Sequence, residues 1–214
     1  MNCFSRVLLF IYITFVNKFI TRRNFALFYK LISIPYDATI TLFLPAYYDV
    51  AKEFVEVNIP FNSVVLDICC GTGNLALMEA HKASVVVGLD ISEKMLENAF
   101  GKSRRMSVNN LCLVCADIKD RLPFKDGVFD VVSAGNSVPS KVSLYYEHSK
   151  NAMSEAYRVL RSGGRLIILT GCPSVSEVYL SRDEYITLLG GVGFRDVSVE
   201  ERGRIYSLVT AIKR

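Results

Sequence analysis

Short apolar runs rich in β-branched residues alternate with longer stretches of helical periodicity from Ser63 onward. The alternation is typical of a parallel sheet that helices cover on both faces. The apolar runs predict five strands, at about 63–68, 84–89, 111–115, 128–134 and 165–170. The stretches between them predict helices at about 74–82, 92–103 and 148–161.

The pattern changes after the fifth predicted strand. Ser181 and Glu184 have the spacing of a capping box, which predicts a helix over about 182–190. The glycine-rich run 190–194 then predicts a turn into two strands, at about 195–201 and 204–212, that pair as an antiparallel hairpin. The sequence therefore predicts an α/β fold: a Rossmann-like, seven-stranded, mostly parallel sheet with a C-terminal antiparallel hairpin and helices on both faces.

Residues 1–35 form a hydrophobic, basic segment ahead of a domain that we expect over residues 36–214. The apolar run at 7–16 is too short to span a bilayer, which needs about 20 residues, and no small-x-small cleavage site follows it. Three interpretations stay open. The segment is a helix in peripheral contact with an anionic membrane surface, it is a helix packed on the domain, or translation starts further along.

The positive charge of the chain is concentrated in this segment. Five of the 25 basic residues lie at or before Lys30, and the first acidic residue is Asp37, so 20 basic residues face 21 acidic ones in the remainder. A nearly neutral domain gains little affinity from neutralising a phosphate backbone. We therefore expect a small-molecule acceptor and no nucleic-acid partner.

Six cysteines occur, and most of them fall in or at the ends of predicted strands, which predicts buried thiols. Cys112 and Cys115 have C-x-x-C spacing, but a strand directs them to opposite faces and no second pair matches them. We expect no metal site here. Reduced cysteines are typical of a cytoplasmic protein.

The run V-L-D-I-C-C-G-T-G-N-L-A at 65–76 predicts a buried strand, a glycine turn and a helix, which together form a ligand site at the carboxyl edge of the sheet. Gly71 and Gly73 let the backbone approach the ligand closely, because a Cβ at either position would occupy the space of the ligand. Asp90 and Asp117 end the next two predicted strands at the same edge. These carboxylates are placed to meet the ribose hydroxyls and the adenine amino group of a nucleoside.

The same glycines also fit a dinucleotide fingerprint, so an NAD(P)-dependent oxidoreductase is the alternative enzyme. Asp67 argues against it, since a carboxylate before the glycines would repel a pyrophosphate. S-adenosylmethionine has no phosphate and carries a cationic amino-acid end. The Asp67 carboxylate therefore favours S-adenosylmethionine over a dinucleotide as the cofactor.

Five segments together resemble class I S-adenosylmethionine-dependent methyltransferases, and most nearly the ubiquinone/menaquinone C-methyltransferase (methyltransferase type 11) group. They are V-L-D-I-C-C-G-T-G at 65–73, G-L-D-I-S-E-K-M-L at 88–96, A-D-I-K-D-R-L-P-F at 116–124, F-D-V-V-S-A-G-N-S-V at 129–138 and E-A-Y-R-V-L-R-S-G-G-R-L at 155–166. The resemblance implies an enzyme that uses S-adenosyl-L-methionine as its cofactor. The acceptor that it implies is a small molecule of lipophilic or quinone-like character.

The resemblance also implies a set of cofactor-binding residues. Asp67 and the turn Gly71, Thr72 and Gly73 would hold the methionine part, Asp90 the ribose and Met95 the adenine face. Asp117 and Ile118 would border the adenine, Asn136 would lie near the transferring methyl, and Cys69 and Ile91 complete the set. The chain departs from the pattern where Cys69 replaces the usual first glycine, and where only about 20 residues separate Thr170 from Gly193.

Methyl transfer from a sulfonium chiefly requires alignment of donor and acceptor, so a catalytic base is optional. His148, Tyr145 and Asn136 are weak candidates for a catalytic role, and the sequence favours His148 as a surface histidine at a helix start. We expect the acceptor pocket to be formed by residues 36–48, 135–147 and 171–180. A non-catalytic, cofactor-binding partner subunit remains a third hypothesis.

Overall fold

The computed structural model describes residues 33, 35–44, 46–137, 139–141 and 143–214, without the side chains of residues 39, 43 and 143–148. The interpretations of the segment 1–35 therefore lie almost wholly outside the described residues. No helix in the described ranges is long and apolar enough to cross a membrane. The helices are α1 (Tyr36–Phe43), α2 (Tyr47–Asn58), α3 (Asn74–Glu79), α4 (Glu93–Arg105), α5 (Ser143–Val159) and α6 (Arg182–Val192).

Seven strands form one sheet. They are β1 (Val64–Ile68), β2 (Val85–Asp90), β3 (Leu111–Cys115), β4 (Phe129–Gly135), β5 (Leu160–Gly171), β6 (Arg195–Arg202) and β7 (Tyr206–Ile212), in the order β3-β2-β1-β4-β5-β7-β6. Strands β1 to β5 run parallel, whereas β7 is antiparallel to both β5 and β6. The predicted fold class is confirmed.

Two hydrophobic cores lie on opposite faces of the sheet, because successive side chains of a strand point to opposite sides. Val65, Val131 and Ile167 pack on one face with residues of α2 and α3. Their neighbours along the strands, including Leu66 and Val132, pack on the other face with residues of α5 and α6. Helices therefore cover both faces, as the sequence predicts.

Helices α1 and α2 were not predicted from the sequence, in which 36–48 indicated only an aromatic, apolar stretch lining the acceptor pocket. The signal was present in α2, where Tyr47, Ala51, Phe54 and Val55 have helical spacing and are all buried. Within 36–48, Ile40 and Tyr47 belong to the hydrophobic core on this face of the sheet, whereas Leu42 is exposed.

The predicted bounds of the helix before the fifth strand, 148–161, were wrong at both ends. Helix α5 begins at Ser143 and ends at Val159, where β5 begins directly. Pairing with β4 then slips, because Phe129 faces Leu160 while Val131 faces Arg165. The intervening residues bulge out of the ladder through Gly163, whose φ is 75°.

The tail follows the prediction except at its glycines. The capping box forms, with the backbone N–H of Ser181 donating to Glu184 at 2.7 Å. Helix α6 nevertheless continues through Gly190 to Val192 and ends at Gly193, whose φ is 117°. Only the last glycine of the run is used as the left-handed helix end.

The prediction of buried thiols was wrong for two cysteines. Cys70 and Cys172 are buried and Cys69 is half-buried, but Cys112 and Cys115 are exposed. The reason is topological, since β3 is an edge strand of the sheet. Strand pattern alone does not reveal which strand lies at an edge.

Candidate active site

The site lies at the topological switch point of the sheet, between the carboxyl ends of β1 and β4, where open α/β sheets bind ligands. A small cavity of about 20 Å³ opens there. Residues from β1 and its following loop, from β4 and from the helices α1 to α3 line it: Tyr36, Ile40, Tyr47, Asp67, Cys69, Cys70, Asn74, Leu75, Gly135 and Asn136. Residues 171–180, predicted to help form the acceptor pocket, line no part of this cavity.

Both predicted glycines of the turn after β1 have left-handed backbone conformations, with φ of 54° at Gly71 and 77° at Gly73. The space beside Gly71 is open, since a Cβ there would meet no atom within 4 Å. At Gly73 the predicted reason was wrong. A Cβ there would lie 3.0 Å from the Cβ of Ala99 on α4, so this glycine permits close helix packing and not ligand approach.

Cys69 also has a left-handed backbone, with φ of 55°. A side chain in that region crowds its own backbone, which is why glycine is the usual residue there. Burial, followed by the nearby Asp90 and Asp67 carboxyls, raises the pKa of the Cys69 thiol well above its ordinary value. The thiol is therefore neutral. It lines the cavity and does not act as a nucleophile.

Asp90, at the end of β2, is tied to the glycine turn. One carboxylate oxygen accepts the backbone N–H of Gly71 at 2.8 Å, and the other accepts that of Ser92 at 2.9 Å. Burial raises the pKa of Asp90, although these two N–H groups act in the opposite direction. Asp90 thus fixes the shape of the turn, and its role towards a ribose remains a prediction.

Asp67 is the most unusual group in the cavity. Its side chain is buried, it lines the cavity, and neither carboxylate oxygen has a hydrogen-bond partner. Burial, and then repulsion by Glu79 and Asp90, raises its pKa well above the ordinary value, although the nearby backbone N–H of Ala76 acts in the opposite direction. A buried carboxylate without a partner is costly, and a cation bound in the cavity would remove that cost.

The predicted adenine-side residues lie further along the same edge and do not line this cavity. Met95, in the first turn of α4, is buried and its N–H is directed at the N-cap Ser92. Ile118 is buried, whereas Ile91 is exposed. Asp117 accepts the N–H of Lys119 at 2.9 Å and forms an ion pair with the same residue's ammonium group.

Asn136 follows β4 and contributes to the cavity wall opposite β1. Its φ of 50° turns the chain, its backbone N–H donates to Leu169 at 2.7 Å, and its buried side-chain Nδ2 has no partner. Tyr145 and His148 fall in the first turns of α5, and their side chains lie outside the described part of the chain. Their catalytic roles remain predictions.

One polar network at the site was not anticipated from the sequence. Asp37 of α1 accepts hydrogen bonds from Thr72 at 2.6 Å, from Asn74 at 2.9 Å and from Lys102 at 2.9 Å. Lys102 also donates to the side-chain oxygen of Asn74 at 2.6 Å. We call these four residues the Asp37 clamp, because they join α1 to the glycine turn, α3 and α4.

The fold and the turn geometry distinguish the site from a dinucleotide site. In the dinucleotide fold the strand order is 3-2-1-4-5-6, whereas here the antiparallel β7 is inserted between β5 and β6.

Residues 65–164 match the sequence profile of a family described as a methyltransferase domain. The matched stretch is just under half of the chain. The match confirms the predicted resemblance.

Curated relatives of this methyltransferase domain include the demethylmenaquinone methyltransferases of Lactiplantibacillus plantarum and Staphylococcus epidermidis. The first is 34% identical over 124 residues, which are 55% of this chain and 49% of the relative. The second is 40% identical over 119 residues, which are 53% of this chain and 45% of the relative. The chain thus spans about half the length of the curated relatives that it matches.

A solved structure agrees with the fold. An S-adenosylmethionine-dependent methyltransferase from Aquifex aeolicus superposes with a TM-score of 0.63 at 24% identity, covering 78% of this chain and 88% of the other. At that identity the similarity shows that the two proteins share the fold.

Proposed function

We propose that this chain transfers the methyl group of S-adenosyl-L-methionine to a small, lipophilic, quinone-like acceptor. The observation that carries the proposal is the unpartnered, buried carboxylate of Asp67 in a cavity at the switch point of a methyltransferase domain. A cationic amino-acid end satisfies such a carboxylate, whereas a pyrophosphate would be repelled by it and by Asp90.

The described residues fit this cofactor. Asp67 would receive its ammonium group, the open face of Gly71 would admit its amino-acid chain, and Asp90 would accept its ribose hydroxyls. When bound, the cofactor supplies an electrophilic methyl group on a sulfonium with an excellent leaving group. The protein's own part is to hold the acceptor in line and to exclude water.

The walls of the cavity suit an apolar acceptor. Tyr36, Ile40, Tyr47 and Leu75 present aromatic and aliphatic surface opposite the polar strand ends. Burial, followed by the charge of Asp67, raises the pKa of Tyr47 far above its ordinary value, so its hydroxyl stays neutral and positions ligands without removing protons. The buried amide of Asn136 offers a donor to an acceptor oxygen.

The quinone-like character of the acceptor is supported by the names of the two curated relatives. An electrophilic methyl group requires an electron-rich acceptor, which favours the reduced quinol form over the quinone. In this proposal, the basic segment 1–35 holds the cytoplasmic protein against an anionic membrane surface where such acceptors reside.

Calorimetric titration with S-adenosylhomocysteine and, separately, with NADH tests the cofactor. We expect micromolar binding of the former, and an Asp90→Ala variant should weaken it about tenfold or more through the lost charged hydrogen bonds. Asp49→Ala, an exposed carboxylate in the first turn of α2, is the matched control. Binding of NADH alone would overturn the proposal in favour of the oxidoreductase.

A methyl-transfer assay tests the acceptor. The panel contains a prenylated naphthoquinol that lacks the ring methyl, its oxidised quinone, the same quinol without its prenyl chain and a polar catechol. We expect transfer to the prenylated quinol first. Cofactor binding with no transfer to any acceptor would instead support the non-catalytic partner subunit.

Vesicle flotation tests the membrane contact. The full chain should float with anionic vesicles and not with neutral ones, and replacing Lys18, Arg22 and Arg23 by Gln should abolish flotation. Equal flotation of the variant and the parent chain would exclude an electrostatic role for the segment.

A further inference from the structure

Glu79, the last residue of α3, is a buried acid whose purpose the fold does not explain. Its relative exposure is 0%, and neither of its carboxyl oxygens has a well-formed hydrogen bond, although the hydroxyl of Ser133 lies close to it. Asp67, at 1% exposure, has the same two properties. Buried polar atoms are nearly always paired in native proteins, so two neighbouring exceptions call for a functional reason.

The groups that face Glu79 are all acidic or neutral. Helix α3 packs on α2, β1 and β2. The groups that interact with Glu79 are Tyr47 of α2, Asp67 of β1, Cys70 in the loop after β1 and Ser133 of β4. None of the ion pairs within the described ranges includes Glu79 or Asp67. Two buried carboxylates with no cation between them repel each other, so the pair retains a proton.

The pKa values of both acids are raised, and that of Glu79 lies in the neutral range. Burial raises the pKa of Glu79 to about 7, although the hydroxyl of Ser133 acts in the opposite direction. Burial and the neighbouring Glu79 raise the pKa of Asp67 well above its ordinary value. The two members differ in access, because Asp67 lines the cavity whereas Glu79 lies behind it.

We propose that Glu79 is a positioning residue that makes cofactor binding proton-linked. The Asp67–Glu79 pair holds its proton before binding, and a proton passes to solvent when the cofactor's ammonium group takes its place beside Asp67. No bond to carbon changes in this step. The carboxylic acid of Asp67 becomes a carboxylate, the ammonium group replaces the proton as its partner, and buffer accepts the proton. This inference rests on the proposed placement of the cofactor at Asp67.

Calorimetry in buffers of different ionisation enthalpy measures the number of protons released on binding. With S-adenosylhomocysteine, the parent protein should release a fraction of a proton at pH 7, and its affinity should rise with pH by up to about tenfold per unit, the limit for one proton. With 5′-methylthioadenosine, which lacks the amino-acid end, we expect binding without proton release.

The decisive variant is Glu79→Gln, which keeps the size of the side chain and removes its charge. Asp67 then loses its repelling neighbour and ionises at lower pH, so proton release near pH 7 should fall and the pH dependence of affinity should flatten. Glu201→Gln, on an exposed position of β6, is the matched control and should behave as the parent.

The outcomes separate this inference from the cofactor assignment. No binding of S-adenosylhomocysteine at all would refute the proposed site. Binding without proton release by the parent, or equal release with 5′-methylthioadenosine, would refute the Glu79 inference alone. The comparison of the two ligands on the parent protein gives this answer even when Glu79→Gln does not fold.

Discussion

Asp37 and Lys102 form an ion pair, with 2.9 Å between Oδ2 and Nζ, although 65 positions separate them in the chain. Partial burial alone would raise the pKa of Asp37, but hydrogen bonds from Thr72 and Lys102 hold it below its ordinary value. Burial lowers the pKa of Lys102, although the hydrogen bond and the charge of Asp37 act in the opposite direction. The Asp37 clamp sets the position of α1, which brings Tyr36 and Ile40 to the cavity.

Breaking the clamp should loosen α1 and weaken cofactor binding. For Asp37→Ala we expect S-adenosylhomocysteine affinity to fall by about tenfold, which corresponds to about 1.4 kcal/mol, with faster amide exchange in α1. The exposed Asp49→Ala variant on α2 should leave both quantities unchanged. Unaltered affinity in Asp37→Ala would mean that α1 has no part in holding the ligand.

Backbone strain at Cys69 predicts opposite effects of two substitutions. Cys69→Gly should equal or exceed the parent in stability, since glycine relieves a left-handed strain of about 1 kcal/mol and loses only one small side chain. Cys69→Val should destabilise by about 2 kcal/mol, because β-branched residues tolerate this conformation poorly. Urea denaturation measures both, and a Gly variant that is clearly less stable than the Val variant would contradict this account.

Two glycines should respond to alanine with opposite signs. Gly73→Ala combines a φ of 77° with a Cβ 3.0 Å from Ala99, and we expect a loss of about 1–3 kcal/mol. Gly190 lies inside α6, where a Cβ meets nothing within 4 Å. Gly190→Ala should stabilise the protein by up to about 1 kcal/mol, through helix propensity. Equal unfolding midpoints in urea for the two variants would show that neither local geometry matters.

The buried Glu79 should make stability depend on pH. Its pKa in the folded protein is about 7, above the value in an unfolded chain of about 4.3, so the folded state binds the proton more tightly. Its stabilising contribution is complete below the unfolded pKa and is lost as pH rises to about 7, at no more than about 1.4 kcal/mol per pH unit.

Unfolding free energies of the parent and Glu79→Gln at several pH values between 5 and 8 test this directly. The parent should lose stability relative to the variant as pH rises, because the Gln side chain stays neutral. A difference between the two proteins that is constant with pH would show that Glu79 is ionised throughout.

Much of the site could be predicted because it depends on local sequence. The glycine turn after a buried strand, with Asp67 before it and Asp90 ending the next strand, is visible in the order and spacing of a few residues. Glu79 carried a weaker signal, as an acid on the helix face that Leu75 and Ala76 bury. It was missed because charged residues at short helix ends are usually solvated.

The sequence by itself determined the fold class, the succession of parallel strands along the chain with the C-terminal hairpin after them, the glycine turn and the capping box at Ser181. Each of these depends on residues that are close in the chain. Only the tertiary structure decided that β3 is an edge that exposes Cys112 and Cys115, that Gly73 faces Ala99, and that Asp37 reaches Lys102. These features depend on which distant elements become neighbours in the fold. The periodicity of residues along the chain does not reveal those neighbours.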